Sequence, residues 1–264
     1  MKLSVIIPAH NEEANIGPCL DELISKLEEE LVDFEIVVVN DNSSDRTEQE
    51  VAQRAMSCPG RIRLIRRQAP GGFGRAIRTG LQFVQNPAVV IYMADRSDHP
   101  SDAINYLRKL EEGYDCVYGS RFIAGSRVEN YPRFKLWVNR CVNISIQWMF
   151  WTKFNDMTNA FKAYRSDVLR RCGPFRSCHF NITLELSLSA LIAGYKIAQI
   201  PIEWQGRTWG SSNLRLSEMG RRYLCTLLML FFQRILMSDD AISERERNPS
   251  LGDEVDICKL RSEP

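Results

Sequence analysis

Apolar residues fall along this chain in short dense runs, and the runs alternate with longer stretches in which apolar positions recur at helical spacing. The first run, Leu-Ser-Val-Ile-Ile from Leu3, stops at Pro8. The second, Ile-Val-Val-Val at 36–39, ends on Asn40 and Asp41; a third covers 61–66 and a fourth starts at Val89. Unbroken β-branched runs of about four to eight residues read as strands buried on both faces. Each is followed by a polar turn and a helical stretch, to about residue 30, through 55, to about 83, and over 101–112, with Asn11 read as the cap of the first helix. A further short strand is expected at 115–118. Strand, turn and helix repeated in this way predict an α/β fold: a mostly parallel sheet with helices on both faces and right-handed crossovers.

Beyond Gly119 the rhythm changes. Residues 136–150 are apolar at helical spacing, 181–193 read as a helix, and 196–202 as a strand ending at Glu203-Trp204. This half is expected to complete one crevice rather than fold alone, since no repeat or low-complexity linker divides the chain. From 216 to 237 apolar residues dominate, bracketed by Arg221, Arg222, Gln233 and Arg234. A membrane span needs about 20 predominantly apolar residues, and this run is shorter, so two readings stand: a helix lying in a membrane interface, or a core or oligomer helix. The charged residues 241–264 are expected to form a mobile tail.

Composition narrows the picture. With 264 residues, 44% hydrophobic, 25% charged and a net charge of +1, the chain has no overall field toward nucleic acid, and any anion site must be local. Eight cysteines without a close Cys-x-x-Cys pair point to reduced thiols. Met1 and Lys2 lead straight into the first strand, too short a run for a secretory leader, so a cytoplasmic setting is expected.

The chemistry centres on Val-Val-Ile-Tyr-Met-Ala-Asp-Arg-Ser-Asp-His-Pro at 89–100. A buried strand here delivers Asp95 to the carboxyl edge of the sheet, where open α/β folds bind ligands, and Asp98 follows three residues later. Two carboxylates so placed suit a divalent cation held against a diphosphate. The same residues also read as an ordinary helix start, with Ser97 and Asp98 as caps and Pro100 in the first turn. Polar turns at 10–13, 40–45, 71–74 and 95–98 would share one rim if their strands are parallel neighbours. Gly71-Gly72-Phe73-Gly74 would offer backbone amides to phosphate, although its spacing is not that of a dinucleotide fingerprint.

Val-Ile-Ile-Pro-Ala-His-Asn-Glu-Glu, Val-Val-Val-Asn-Asp-Asn-Ser-Ser-Asp-Arg-Thr, Gly-Phe-Gly-Arg-Ala-Ile and Gly119-Ser120-Arg121-Phe122, in that order, resemble the inverting family 2 glycosyltransferases of GT-A fold. Asp156-Met-Thr-Asn-Ala-Phe161-Lys162-Ala-Tyr164, Gly194-Tyr195-Lys196-Ile197, Ile200-Pro201-Ile202 and Arg207-x-x-Gly210-x-Ser212 resemble its polyprenyl-phosphate branch, the dolichol-phosphate mannose synthase-like enzymes. The resemblance covers about 3–214. It implies a nucleotide-sugar half over 1–118, an acceptor half over 119–214 and a membrane-interface helix over 215–240.

Carried over by position, the resemblance places Pro8, His10 and Glu12 in the nucleoside loop, His10 standing where the family often has Tyr. It makes Asp41 a nucleotide contact and sets Gly72 and Gly74 at the phosphates. Asp95 and Asp98 fall in the metal turn, usually Asp-Ala-Asp-x-Gln/Ser-His-Pro; here Ala94 replaces the first Asp, Arg96 the second, and Asp98 the Gln or Ser. Arg96 is alternatively a positive charge for the diphosphate. Arg121 would contact the acceptor phosphate, with Lys135, Asn139, Arg207 and Ser212 around it and Asn213 where a Lys is common. The implied catalytic set is Asp95, Asp98 and Arg121.

The resemblance further implies metal-dependent transfer, with Mg2+ or Mn2+, of a mannosyl or glucosyl group from GDP-mannose or a UDP-hexose to a polyprenyl or dolichyl phosphate. The enzyme would sit peripherally on the cytoplasmic membrane face, with room for a membrane partner and no role for nucleic acid. One rival is a hydroxyl acceptor on a glycan or lipid, which needs a general base, Asp156 or Glu185. Another is a non-catalytic nucleotide-sugar binding protein, suggested by Ala94 and Arg96. Asp156 and Tyr164 also read as a simple buried hydrogen-bonding pair.

Overall fold

The computed structural model describes residues 1–206 and 216–247. The first half follows the expected alternation: β1 (Leu3–Ala9), α1 (Ile16–Glu29), β2 (Phe34–Asp41), α2 (Thr47–Ser57), β3 (Ile62–Arg67), α3 (Phe73–Leu81), β4 (Ala88–Ile91), α4 (Pro100–Glu111) and β5 (Cys116–Ser120). The second half adds β6 (Arg127–Glu129), α5 (Arg133–Phe150), β7 (Lys162–Arg165), α6 (Ser166–Cys172), α7 (Ile182–Ile192), β8 (Ile197–Pro201), β9 (Glu203–Gln205) and α8 (Leu216–Arg247).

The main sheet has seven strands in the order β3-β2-β1-β4-β7-β5-β8, and only β7 runs against the rest. β6 and β9 form a separate parallel pair. Because successive strand residues face opposite ways, Leu3, Val5 and Ile7 pack under α1 and α4, whereas Ile6 faces α3 and the helices of the second half. The two cores therefore lie on the two faces of the sheet, one with α1, α2 and α4, the other with α3 and α5–α8. Burying an aliphatic side chain such as Ile6 contributes about 1.5–3 kcal/mol, so this sandwich holds the loops at the strand ends on a stiff base.

Two expectations change. The first helix begins at Ile16, with Asn15 and not Asn11 at its cap position. The last helix runs on to Arg247, past the boundary expected at 240. Arg207, Ser212, Asn213 and residues 248–264 lie outside the described residues. The described cysteines are all free.

Candidate active site

At the carboxyl ends of β1 and β2 two polar loops are sewn together. Asn11 adopts a left-handed backbone (φ 55°), a conformation Asn tolerates, and its Oδ1 accepts from the Ser44 amide at 2.8 Å. The Glu13 amide donates to Asp45 at 3.1 Å, and the Glu12 amide to Thr47 Oγ1 at 2.8 Å. The buried Glu12 carboxylate accepts from the Asn15 side chain at 2.7 Å, so Glu12 holds the cap residue of α1 as well as lying in the first loop. Pro8 is buried in β1 opposite Val39. His10 is exposed, with Nδ1 2.8 Å from the Asp41 carbonyl. A carbonyl only accepts, so Nδ1 carries the proton.

Asp41 and the glycine turn are tied to one another and to the second half of the chain. One Asp41 oxygen is bound by Arg67 and the other accepts from the Gly72 amide at 2.5 Å, so the carboxylate joins β2 to the glycine turn. A Cβ on Gly74 would stand 2.6 Å from the Ser177 carbonyl oxygen, and one on Gly72 2.4 Å from that of Cys178. The Arg75 amide donates to the same Cys178 oxygen at 3.2 Å. These glycines let the 177–179 loop close on the start of α3, where the amides of Gly72 and Arg75 already have partners.

The turn after β4 is built around its two acids. Asp95 Oδ1 accepts from the Ser97 amide at 3.2 Å, Asp98 Oδ2 from the Met93 amide at 3.2 Å, and the Tyr92 hydroxyl donates to the Asp98 carbonyl at 2.7 Å. The cap of α4 is His99, whose ring accepts from the Ser101 amide at 3.3 Å with Pro100 behind it, so Ser97 and Asp98 are not needed as caps. Asp98 is 4% exposed and its Oδ1 has no hydrogen-bond partner among the described residues. Burial, and then the charge of Asp95, push its carboxyl well above the usual range. Burial also pushes the neighbouring Cys19 thiol up, and both aspartates add to that shift.

A buried, unpartnered carboxylate oxygen beside a second carboxylate suits a hard divalent cation, which would relieve that energetic cost. Among the described residues no cluster of three His, Cys, Asp or Glu is arranged to hold a metal unaided. Asp95 and Asp98 would supply protein ligands to such a cation, with other oxygen donors needed to complete its shell. Both acids line an open cavity of roughly 810 Å3 shared with Glu22 and Lys26 of α1, Gln205 and Gly206. His10, Glu12 and Asp41 stand on the same strand-end rim but do not line this cavity.

Across the sheet, Asp156 is fully buried and holds Arg121 through both oxygens, at 2.8 Å to Nε and 2.8 Å to Nη2, and accepts the Arg121 amide at 3.0 Å. The guanidinium also lies over the rings of Phe122, Tyr131 and Trp204, 5.4–5.7 Å from their centroids. Burial works against this cation, but the Asp156 charge and hydrogen bonds more than offset it and keep Arg121 protonated. Asp156 therefore belongs with Arg121 and not with Tyr164, whose hydroxyl meets Ser187 Oγ at 3.3 Å. Asn139 donates to the Tyr131 hydroxyl at 2.6 Å and accepts from Thr158 Oγ1 at 2.6 Å, which ties α5 to this pair. Lys135 lies one helical turn before Asn139, on the same face of α5. Trp204 joins the two halves of the site, since its backbone bridges to Asp98 and its ring covers Arg121.

Three residues had no role in the reading of the sequence. Tyr131 and Trp204 form the cage around Arg121, and nothing in the hydrophobic periodicity marks them. Lys162 lies fully buried beneath, donating to the Met157 carbonyl at 2.6 Å and to Ser187 Oγ at 2.5 Å, with burial lowering its pKa to about 7. Its signal was its place in β7, two residues from the buried Tyr164 and hence on the same face.

The sheet order, with one antiparallel strand set between β4 and β5 and an acidic turn after β4, is the GT-A arrangement. The family model for glycosyl transferase family 2 matches residues 4–173, and the chain belongs to that family. It is 28% identical over 220 residues to the dolichol-phosphate mannosyltransferase of Pyrococcus furiosus, a match covering 81% of this chain and 60% of that protein. It is 26% identical over 215 residues to the polyprenol monophosphomannose synthase of Mycolicibacterium smegmatis, covering 80% of each. Among solved structures, glucosyl-3-phosphoglycerate synthase from Mycobacterium tuberculosis in complex with Mn2+, UDP and phosphoglyceric acid superposes with a TM-score of 0.67 at 23% identity, over 87% of this chain and 78% of that one. The chain thus spans under two thirds of the archaeal relative's length.

Proposed function

We propose that this glycosyltransferase moves a hexosyl group, with inversion, from a nucleoside-diphosphate sugar to a polyprenyl phosphate. The observation that carries the reading is the state of its internal carboxylates. A hydroxyl acceptor needs a base, and both candidates are occupied: Asp156 by Arg121, and Glu185 by the amides of Arg176 at 2.8 Å and Ser177 at 2.7 Å. A phosphate acceptor is already anionic near neutral pH and needs positioning rather than deprotonation. The names of the archaeal and mycobacterial relatives support the same acceptor class.

Asp95 and Asp98 would hold Mg2+ or Mn2+ at the donor diphosphate, where a divalent cation offsets the charge that develops on the leaving group. The Mn2+ and UDP in the mycobacterial synthase structure support that donor arrangement. Arg121, held by Asp156 and roofed by Trp204, would orient the acceptor phosphate, with Lys135 along α5. The exposed apolar faces of α5 and α8 would keep the enzyme peripheral on the membrane that carries its lipid substrate.

The test is incubation of labelled GDP-mannose, UDP-glucose and related donors with Mn2+ and either a polyprenyl phosphate or the matching free polyprenol. Sugar transfer to the phosphate, lost on Asp95→Ala, is expected. Transfer to hydroxyl acceptors alone would reject the proposal.

A further inference from the structure

The metal turn carries a residue whose placement the donor chemistry leaves unexplained. Arg96 stands between the two acids in a left-handed backbone (φ 59°), a conformation that costs a non-glycine residue about 1 kcal/mol or more. The turn's own bonds, Asp95 to the Ser97 amide and Tyr92 to the Asp98 carbonyl, keep it there. Its guanidinium is then carried across to α1, where Nε lies 3.3 Å from one Glu22 oxygen and Nη2 binds the other. Both side chains are 45% exposed, and both line the cavity that Asp95 and Asp98 open into.

The walls of that cavity are acidic, so an anion entering it depends on the few cations they carry. Asp21, Glu22, Glu29, Asp95 and Asp98 outnumber the cations on its walls, Lys26 and Arg96. Lys26 is bound by two carboxylates of its own helix, Glu29 at 2.9 Å and Glu30 at 3.1 Å. Among the described residues Arg96 has a single carboxylate partner, in a solvent-screened pair, the kind of contact that contributes little and exchanges readily. A diphosphate gives a guanidinium the same forked geometry with more negative charge.

We propose that Arg96 is a diphosphate-binding residue held in reserve by Glu22, and that donor binding exchanges the Glu22 carboxylate for a diphosphate oxygen pair. This rests on the nucleoside-diphosphate donor proposed above. It assigns to Arg96 part of the charge neutralisation that Asp95 and Asp98 would otherwise leave to a metal alone.

The test measures binding of UDP, GDP and inorganic pyrophosphate to the whole protein by titration calorimetry, in EDTA and with Mn2+, for wild type, Arg96→Gln, Glu22→Gln and the double variant. In EDTA, Arg96→Gln is expected to weaken pyrophosphate and nucleotide binding by about tenfold, and Glu22→Gln to tighten it by roughly threefold. The double variant separates exchange from a general field: Glu22→Gln should give almost no gain once Arg96 is Gln. An equal gain in both backgrounds overturns the proposal, as does unchanged affinity in Arg96→Gln. If pyrophosphate responds as expected while neither UDP nor GDP binds, the donor reading fails and the Arg96 assignment stands. If nucleotides bind and neither substitution matters, the reverse holds.

Discussion

Asp98 is the residue in which the fold's energetic cost and its proposed chemistry meet. Its carboxyl is pushed up by burial and by Asp95, so its folded pKa lies above its unfolded one. A group shifted in that direction contributes stability that is fully present below the ordinary carboxylate range and is lost as pH rises through the folded pKa. In EDTA, therefore, the wild-type protein should lose stability toward neutral pH relative to Asp98→Asn, which lacks the buried charge and is expected to be about 1–3 kcal/mol more stable there. Added Mn2+ should raise the melting temperature of the wild type and leave that of Asp98→Asn unchanged; thermal melts across pH, with and without the ion, decide it. Arg121 and Asp156 show the opposite economy, a buried pair in which each ion justifies the other. Asp156→Ala leaves the guanidinium uncompensated and should cost about 3–5 kcal/mol by denaturant unfolding. Replacing both by apolar residues of similar volume should recover most of that stability while leaving transfer to the acceptor phosphate abolished. Recovery of activity along with stability would remove Arg121 from the site.

At the scale of elements, the start of α3 decides how the two halves meet. Gly74 lies where an added Cβ would press on the carbonyl oxygens of Ser177 at 2.6 Å and His179 at 2.7 Å, neither of which is a flexible side-chain tip. Gly74→Ala should therefore destabilise the free protein by about 1–3 kcal/mol with no nucleotide present, a loss that a purely phosphate-binding glycine would not show. The sequence could not reveal this use of the turn, because the contact spans about a hundred positions of chain and has no periodic trace. β1, β2 and β4 were legible for the opposite reason: parallel strands covered on both faces appear as unbroken apolar runs. β7 was not, since Lys-Ala-Tyr-Arg is short and begins and ends on a cation, and its antiparallel pairing comes from tertiary contacts with β4 and β5. The position of Asp95 and Asp98 at a strand end was legible from spacing, and the order of motifs resembled the right family. The actual partners of Asp41, Asp156 and Glu185 were not, because a carboxylate's partner is set by which distant amide or guanidinium the fold brings to it.

The molecule as a whole is asymmetric in its surface. Trp148 is 80% exposed, Trp137, Trp151 and Phe134 are similarly open along and just after α5, and Leu224, Phe232 and Leu236 are exposed on α8. The two helices are joined by a hydrogen bond from Arg234 to the Phe150 carbonyl and by the Phe150–Phe231 ring contact, while the Arg234 guanidinium lies over Trp151. No described helix is long and apolar enough to cross a membrane. Tryptophan together with arginine beside aliphatic side chains is the composition that settles at a headgroup boundary, apolar bodies inward and cations at the phosphates. Fully burying one large side chain contributes about 1.5–3 kcal/mol, so replacing two of them should be visible even if burial is partial. Trp148→Ser combined with Phe232→Ser is expected to lower partitioning onto vesicles containing anionic lipid by about tenfold or more, as read by co-sedimentation, without changing UDP or GDP affinity. Transfer to a long-chain polyprenyl phosphate in those vesicles should fall in parallel, and transfer to a short, water-soluble analogue should not. Equal loss on both acceptors would mean that the two side chains support the fold or the site, and unchanged partitioning would reject a membrane-binding role for this face.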